Sequence, residues 1–158
     1  MVKTQGVKNY ISAVGRRREA VARVRLYTVG SKVQLDGKEL KKGDMFVNGK
    51  PVNEYFKFFA YAPSYNKILV DTETSGKYIF TIKVVGGGLS GQIDAAVLGI
   101  ARTLDKLDKE KFHSILRSKG YLTRDPRIRE RRKVGMGGKA RRKSMPSARL
   151  PGLRKTKG

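Results

Sequence analysis

From Ala20 to Val29 apolar and polar positions alternate, with Ala22, Val24 and Leu26 on one side and Arg23, Arg25 and Tyr27 on the other. A period of two predicts a half-buried strand, here with a basic second face. Tyr10–Val14 alternates more weakly and predicts a strand before it, joined by a basic turn, Gly15-Arg16-Arg17-Arg18. Val33–Leu35 and Met45–Val47 are short strand candidates, followed by the turn-forming pairs Asp36-Gly37 and Asn48-Gly49. Pro51 suits the first position of a helix, which Val52–Ala60 would fill with Phe56, Phe59 and Ala60 on its buried face. Pro63 is expected to end it, and Ser64–Val70 fits helix and strand alike. Tyr78–Val85, rich in β-branched and aromatic residues, predicts a strand. Ile93, Ala96, Val97, Ile100, Ala101, Leu104 and Leu107 then recur at helical spacing. A last helix is expected over Lys109–Ser118, with Asp108 as N-cap, Gly120 just past its end, and Phe112, Ile115 and Leu116 buried. Strands, a helix, a strand and two helices make an α+β layout, helices packed on a mostly antiparallel sheet.

Charge changes what this layout is for. The 158 residues suffice for one domain with a modest core. They carry 36 Lys+Arg against 13 Asp+Glu, a net charge of +23. Such an excess repels itself in a compact state and calls for a polyanion, nucleic acid first and an anionic membrane surface second. No apolar window approaches the ~18 residues of a membrane span. Cysteine is absent, which removes disulfides and thiolate metal sites. Met1–Gln5 is short and polar, without the features of a secretory or transit segment, so a cytosolic location is expected.

The charge is unevenly spread. Residues 1–25 hold 7 basic and 1 acidic side chains, residues 26–123 hold 15 and 10, and residues 124–158 hold 14 and 2. The central stretch therefore reads as an ordinary globular domain. After Tyr121 no aromatic residue occurs, and Gly135, Gly137, Gly138, Pro146, Pro151 and Gly152 punctuate a sequence without apolar period. Such a segment cannot bury enough surface to fold alone. The expected organisation is a short arm over 1–9, a globular RNA-binding domain over 10–123, and an extended basic tail over 124–158 that orders on RNA.

Few residues suit catalysis. Gly86–Gly91 fits G-x-G-x-x-G after a strand and before a helix, but no second parallel strand follows and no acid ends one at the dinucleotide spacing. A flexible strand-to-helix turn explains the glycines, and free N–H groups at a helix N-terminus can also meet an RNA phosphate. No cofactor is expected. His113 has no metal-ligand partner at suitable spacing and no Ser–His–acid set. Glu39, Asp44, Glu54, Asp71 and Glu73 are scattered, with nothing marking a catalytic pair. An enzyme is therefore not expected. By contrast, Arg16, Arg17, Arg18, Arg23 and Arg25 gather on one turn and one strand face, suited to bidentate phosphate contact, and Tyr10 and Tyr27 can add stacking. A solvated basic face is the plain alternative.

Five segments in order complete the picture: GRRREAVARV (Gly15–Val24), FVNGKP (Phe46–Pro51), GGGLSGQIDAAVLGIARTL (Gly86–Leu104), GYLTRDPRIRERRKVG (Gly120–Gly135) and KARRK (Lys139–Lys143). Together they resemble the bacterial-type small-subunit ribosomal protein S-nine family, from about Tyr10 to Arg149. The resemblance implies an α+β domain like the second domain of ribosomal protein S-five, with a left-handed βαβ crossover. It implies binding to the 3′ major, head-domain rRNA of the small subunit, beside neighbouring head proteins, in the cytoplasmic ribosome. The rRNA contacts would come from Arg16–Arg18, Arg23 and Arg25 and from the loop residues Gly87, Gly88 and Gln92. Along the tail they would come from Arg124, Arg127, Arg129, Arg131, Arg132 and Lys133, then Lys139, Arg141, Arg142 and Lys143. The tail end would approach the anticodon stem-loop of the peptidyl-site tRNA. Family tails end in Ser-Lys-Arg. Aligned without gaps, that end falls on Ser147-Ala148-Arg149, so Ser147 and Arg149 are the tRNA candidates, and Leu150–Gly158 extends beyond them.

Overall fold

The structure is a computed structural model and describes residues 10–28, 34–35, 38–57 and 62–129. β1 (Tyr10–Arg17) and β2 (Ala20–Tyr27) form a long antiparallel pair in which Tyr10 faces Tyr27 and Arg17 faces Ala20. The expected basic turn is a correction here: Gly15, Arg16 and Arg17 continue β1, and the turn is Arg18-Glu19, with Arg18 left-handed at φ 49°. Arg17, the last residue of β1, points to the helix-covered side of the sheet and is itself buried.

Two short pairs follow. β3 (Gln34–Leu35) and β4 (Lys38–Glu39) are antiparallel, while Asp36-Gly37 between them lies outside the described residues. β5 (Met45–Val47) and β6 (Lys50–Pro51) form a hairpin across Asn48-Gly49, whose φ values of 50° and 82° suit a two-residue primed turn. The helix expected over Val52–Ala60 is a single turn, α1 (Val52–Tyr55), with Phe56 buried directly after it. Phe59 and Ala60 lie outside the described residues. Nor does Pro63 end a helix. It lies in the first turn of α2 (Ala62–Asp71), where its missing N–H costs nothing. Ser64–Val70 is thereby helical.

β7 (Ile79–Val85) lies at the sheet centre, antiparallel to β2 and parallel to β5. The five-stranded order is β1-β2-β7-β5-β6, so the sheet is mixed, and α1 and α2 lie on the crossover from β5 to β7. α3 (Leu89–Leu107) follows directly, then α4 (Lys109–Ser118). The expected cap is present, for Asp108 accepts from the Lys111 N–H at 3.1 Å. At the other end Gly120 is left-handed, φ 75°, and the Tyr121 N–H donates to Leu116 O at 3.0 Å, closing the helix as a Schellman turn. Phe112 and Leu116 are buried as expected, but Ile115 is exposed: the i, i+4 pair faces the core and Ile115 falls at its flank.

One core joins the layers. Val24, Leu26, Phe80 and Ile82 of the sheet share it with Ile93, Ile100 and Leu104 of α3, Ile68 of α2 and Leu116 of α4. Each such large side chain, fully buried, contributes about 1.5–3 kcal/mol. α3 lies close on β1 and β2 because glycines meet there. A Cβ on Gly15 would fall 1.9 Å from Ala95 O, and one on Gly99 would fall 2.5 Å from Val24 Cγ2. α3 also guards the sheet edge. Arg102 donates to Val14 O at 2.8 Å and Lys106 to Ser12 O at 3.0 Å, occupying carbonyls that β1 turns away from β2.

Candidate nucleic-acid interface

Helices and core residues cover one sheet face, and alternation sends other side chains to the opposite face. There β1 presents Ser12, Val14 and Arg16, all exposed, and β2 presents exposed Arg23 and Arg25. Lys83 joins them from β7, in register with Arg23. The five strands of this sheet contain no Asp or Glu. Arg16, Arg23, Arg25 and Lys83 form no ion pair with a carboxylate among the described residues. Arg23 directly opposite Lys83 is a like-charge cross-strand pair, an arrangement that weakens a sheet left to itself. Beside it Arg25 lies over the Tyr10 ring, 5.0 Å from its centroid, and Tyr10 meets Tyr27 at 5.7 Å and a 53° tilt. Lys83 was missed in the sequence although its alternation with Ile82 and Val84 was visible, because only the strand register sets it against Arg23.

Arg17 behaves differently from its neighbours. It is 8% exposed, and its Nη2 meets Asp125 Oδ2 at 2.7 Å, its Nε meets Asp94 Oδ2 at 3.5 Å, and its Nη1 donates to Arg127 O at 2.5 Å. The Arg127 side chain in turn donates to both carboxylate oxygens of Asp125 at 2.7–3.1 Å. Hydrogen bonds from Arg127, then the charges of Arg127 and Arg17, hold the Asp125 carboxyl well below the usual carboxylate range. The cluster ties 125–127 to β1 and α3, and the compact unit runs to Arg127, with Ile128 beginning a second unit.

A similar tie lies nearby. Lys119 Nζ and the Tyr121 hydroxyl meet the two oxygens of Asp71, at 2.5 and 2.7 Å. Burial first, then the carboxylate, pushes the Tyr121 hydroxyl up to about 12.

The glycine loop is largely committed to the fold. Gly86 and Gly87 are left-handed, and a Cβ on either would press on Glu19 or Ala20 at the start of β2. Gln92 donates to Gly86 O at 3.0 Å and accepts from the Tyr55 hydroxyl at 3.0 Å. Asn48 completes the mesh, donating to Val84 O at 3.1 Å and accepting the Val84 N–H at 2.9 Å. Only Gly88 faces open space. The glycines therefore let a strand-to-helix turn pack on β2.

Of the expected contact residues, the structure gathers Arg16, Arg23 and Arg25 on or beside one sheet face, with Arg18 at the adjoining turn, and withdraws Arg17. Arg124 and Arg127 are exposed near the end of the compact unit, and Arg129 is exposed in the second unit. Arg131, Arg132, Lys133, Lys139, Arg141, Arg142, Lys143, Ser147 and Arg149 lie outside the described residues. His113 Nδ1 meets Asp105 at 2.7 Å, a local pair between α3 and α4. Among the described residues no group of His, Cys, Asp and Glu could hold a metal ion, and no helix is long and apolar enough to cross a membrane.

A small α+β domain whose exposed sheet face is basic and, among the described residues, free of carboxylates has the electrostatics of the polyanion-binding class. Comparison with known proteins is more specific. Residues 15–149 match the family described as Ribosomal protein S9/S16. A Trichormus variabilis protein named small ribosomal subunit protein uS9 is 43% identical over 123 residues, covering 77% of this chain and 80% of its own. A protein of the same name from Arthrobacter sp. is 40% identical over 138 residues, 87% of this chain and 74% of its own. The chain belongs to the ribosomal protein S9 family, and it is a structural ribosomal protein, not an enzyme.

Proposed function

We propose that the chain is a structural constituent of the head of the small ribosomal subunit, where its cations bind rRNA phosphates. The observation that carries this is the acid-free sheet face on which Arg23 opposes Lys83. Phosphate oxygens between the two would turn that repulsion into a bridged pair. The relatives' name, small ribosomal subunit protein, supports rRNA as that polyanion. On the body, Arg16, Arg18, Arg23 and Arg25 make the contacts, joined by Lys83. Arg124 and Arg129 lead into a tail whose Arg131–Lys133, Lys139 and Arg141–Lys143 neutralise further phosphates. The Gly88 backbone contributes a donor at the α3 N-terminus, while Gly87, Gln92 and Arg17 support the surface from within. The tail end, Ser147 and Arg149, reaches toward the anticodon stem-loop of the peptidyl-site tRNA. In this reading the β5-to-β7 crossover is left-handed, as in the second domain of ribosomal protein S-five, and the protein works in cytoplasmic ribosomes among the other head proteins.

If about ten phosphates are neutralised, log affinity for a small-subunit rRNA fragment falls against log salt with a slope of roughly −7 to −9. A slope near zero sinks the proposal. Arg149→Ala is expected to weaken tRNA retention in the peptidyl site of assembled subunits without blocking assembly. Unchanged retention removes Arg149 from that role.

A further inference from the structure

We propose that the bare sheet face receives an unpaired stretch of RNA, whose bases extend the Tyr27–Tyr10–Arg25 stack while Arg16, Arg23 and Lys83 hold its phosphates. This deepens the rRNA reading and rests on it. A face meant for paired RNA needs only cations and polar groups, because a duplex shows its backbone and 2′-hydroxyls and hides its base faces. This face has something else at the end of its β1–β2 pair. Tyr10, Tyr27 and the Arg25 guanidinium form a continuous π-rich ladder across the β1–β2 pair. Val14 and Val85, exposed by 38% and 64%, flank the cations on the same face. Phosphates gain nothing from such apolar groups, but base faces do. Guanidinium planes and tyrosine rings are the surfaces on which unstacked bases settle, with little regard for base identity.

The charges are placed to match. Arg23 and Lys83 stand side by side on β2 and β7, next to the ladder. A shallow trough continues past them over Phe46, Thr81 and Asn48 toward the β5–β6 hairpin. With strands about 4.8 Å apart, the path from β1 to β7 has room for about two or three nucleotides. The occupant is therefore a loop, bulge or junction strand of the rRNA.

The test uses the full chain and two probes, a short oligouridylate and an RNA duplex carrying the same number of phosphates. Replacing the ladder by Y10L with Y27L is expected to weaken oligouridylate binding about tenfold or more. Duplex affinity and both salt slopes should stay as in the parent protein, and Y10F with Y27F should retain binding. Equal losses on both probes in a variant that melts normally, or no loss at all, overturn the proposal. So does a tenfold preference of the parent protein for the duplex. A second measurement avoids any folding defect. Photocrosslinking the unaltered protein to oligouridylate bearing 4-thiouridine should label peptides containing Tyr10 or Tyr27, and labels confined to 124–158 overturn the inference. If rRNA fragments themselves fail to bind, the ribosomal reading falls instead.

Discussion

Arg17 shows what one residue can do against its surroundings. In a chain with an excess of cations, its buried guanidinium recruits two of the few carboxylates, Asp94 and Asp125, both of which keep a side open to solvent. A buried charged group left without partners costs about 1–3 kcal/mol or more. Arg17→Leu, which loses the ion pairs to Asp125 and Asp94 and leaves Arg127 O without its donor, is expected to lower unfolding free energy measurably in urea titrations, while Arg127 still holds Asp125. A change under about 0.5 kcal/mol would show the contact to be ornamental. The pH dependence follows from Asp125. Its folded value lies below the unfolded value of about 4, so its stabilising effect is complete above pH 4 and fades as pH falls through the folded value. Thermal melts from neutral pH downward should therefore show a loss below about pH 4 that Asp125→Asn lessens. Parallel curves for the two proteins would rule this linkage out.

At the scale of elements, α3 is the organising piece. It buries Ile93, Ile100 and Leu104, packs its glycine against β1 and β2, and covers the β1 edge with Arg102 and Lys106. Glycine inside a helix ordinarily costs about 1 kcal/mol relative to alanine. Here the gain is contact, since a Cβ on Gly99 would fall 2.5 Å from Val24 Cγ2 and 3.4 Å from Gly15 N. Gly99→Ala should therefore destabilise despite its better helix propensity, by about 1–3 kcal/mol of overpacking. A variant more stable than the parent would mean that the helix can shift outward freely.

At the scale of the molecule, a compact unit with a basic sheet face is followed in sequence by a strongly basic C-terminal segment. Their junction is testable. Ending the chain after Arg127 keeps the cluster of Arg17, Asp125 and Arg127, whereas ending it after Thr123 removes two of the three. Both truncated proteins should fold, but the shorter should melt lower by about 5 °C or more, given roughly 4–8 °C per kcal/mol in small domains. Equal melting temperatures would place residues 124–127 outside the cooperative fold. Both should lose roughly a third or more of the salt slope for rRNA, since ending the chain after Arg127 removes 12 of the 36 Lys+Arg residues and ending it after Thr123 removes 14.

Local patterns sufficed for much of this. Alternation in Ala20–Tyr27 placed Arg23 and Arg25 on a face opposite Ala22, Val24 and Leu26, and the 3.6-residue recurrence from Ile93 to Leu107 marked α3, because both depend only on a residue's near neighbours. The Asp108 cap and the Asn48-Gly49 turn were legible for the same reason. What remained hidden depends on contacts between distant residues. Arg17 reads as one more surface arginine until Asp125 and Arg127, 110 residues away, close over it. Ser64–Val70 becomes helix, led by Pro63, once Ile68 finds the core. The partnership of Arg23 with Lys83 exists only in the strand register, because a sheet is assembled from separated segments and charge patterning within one segment says nothing of what lies across the ladder.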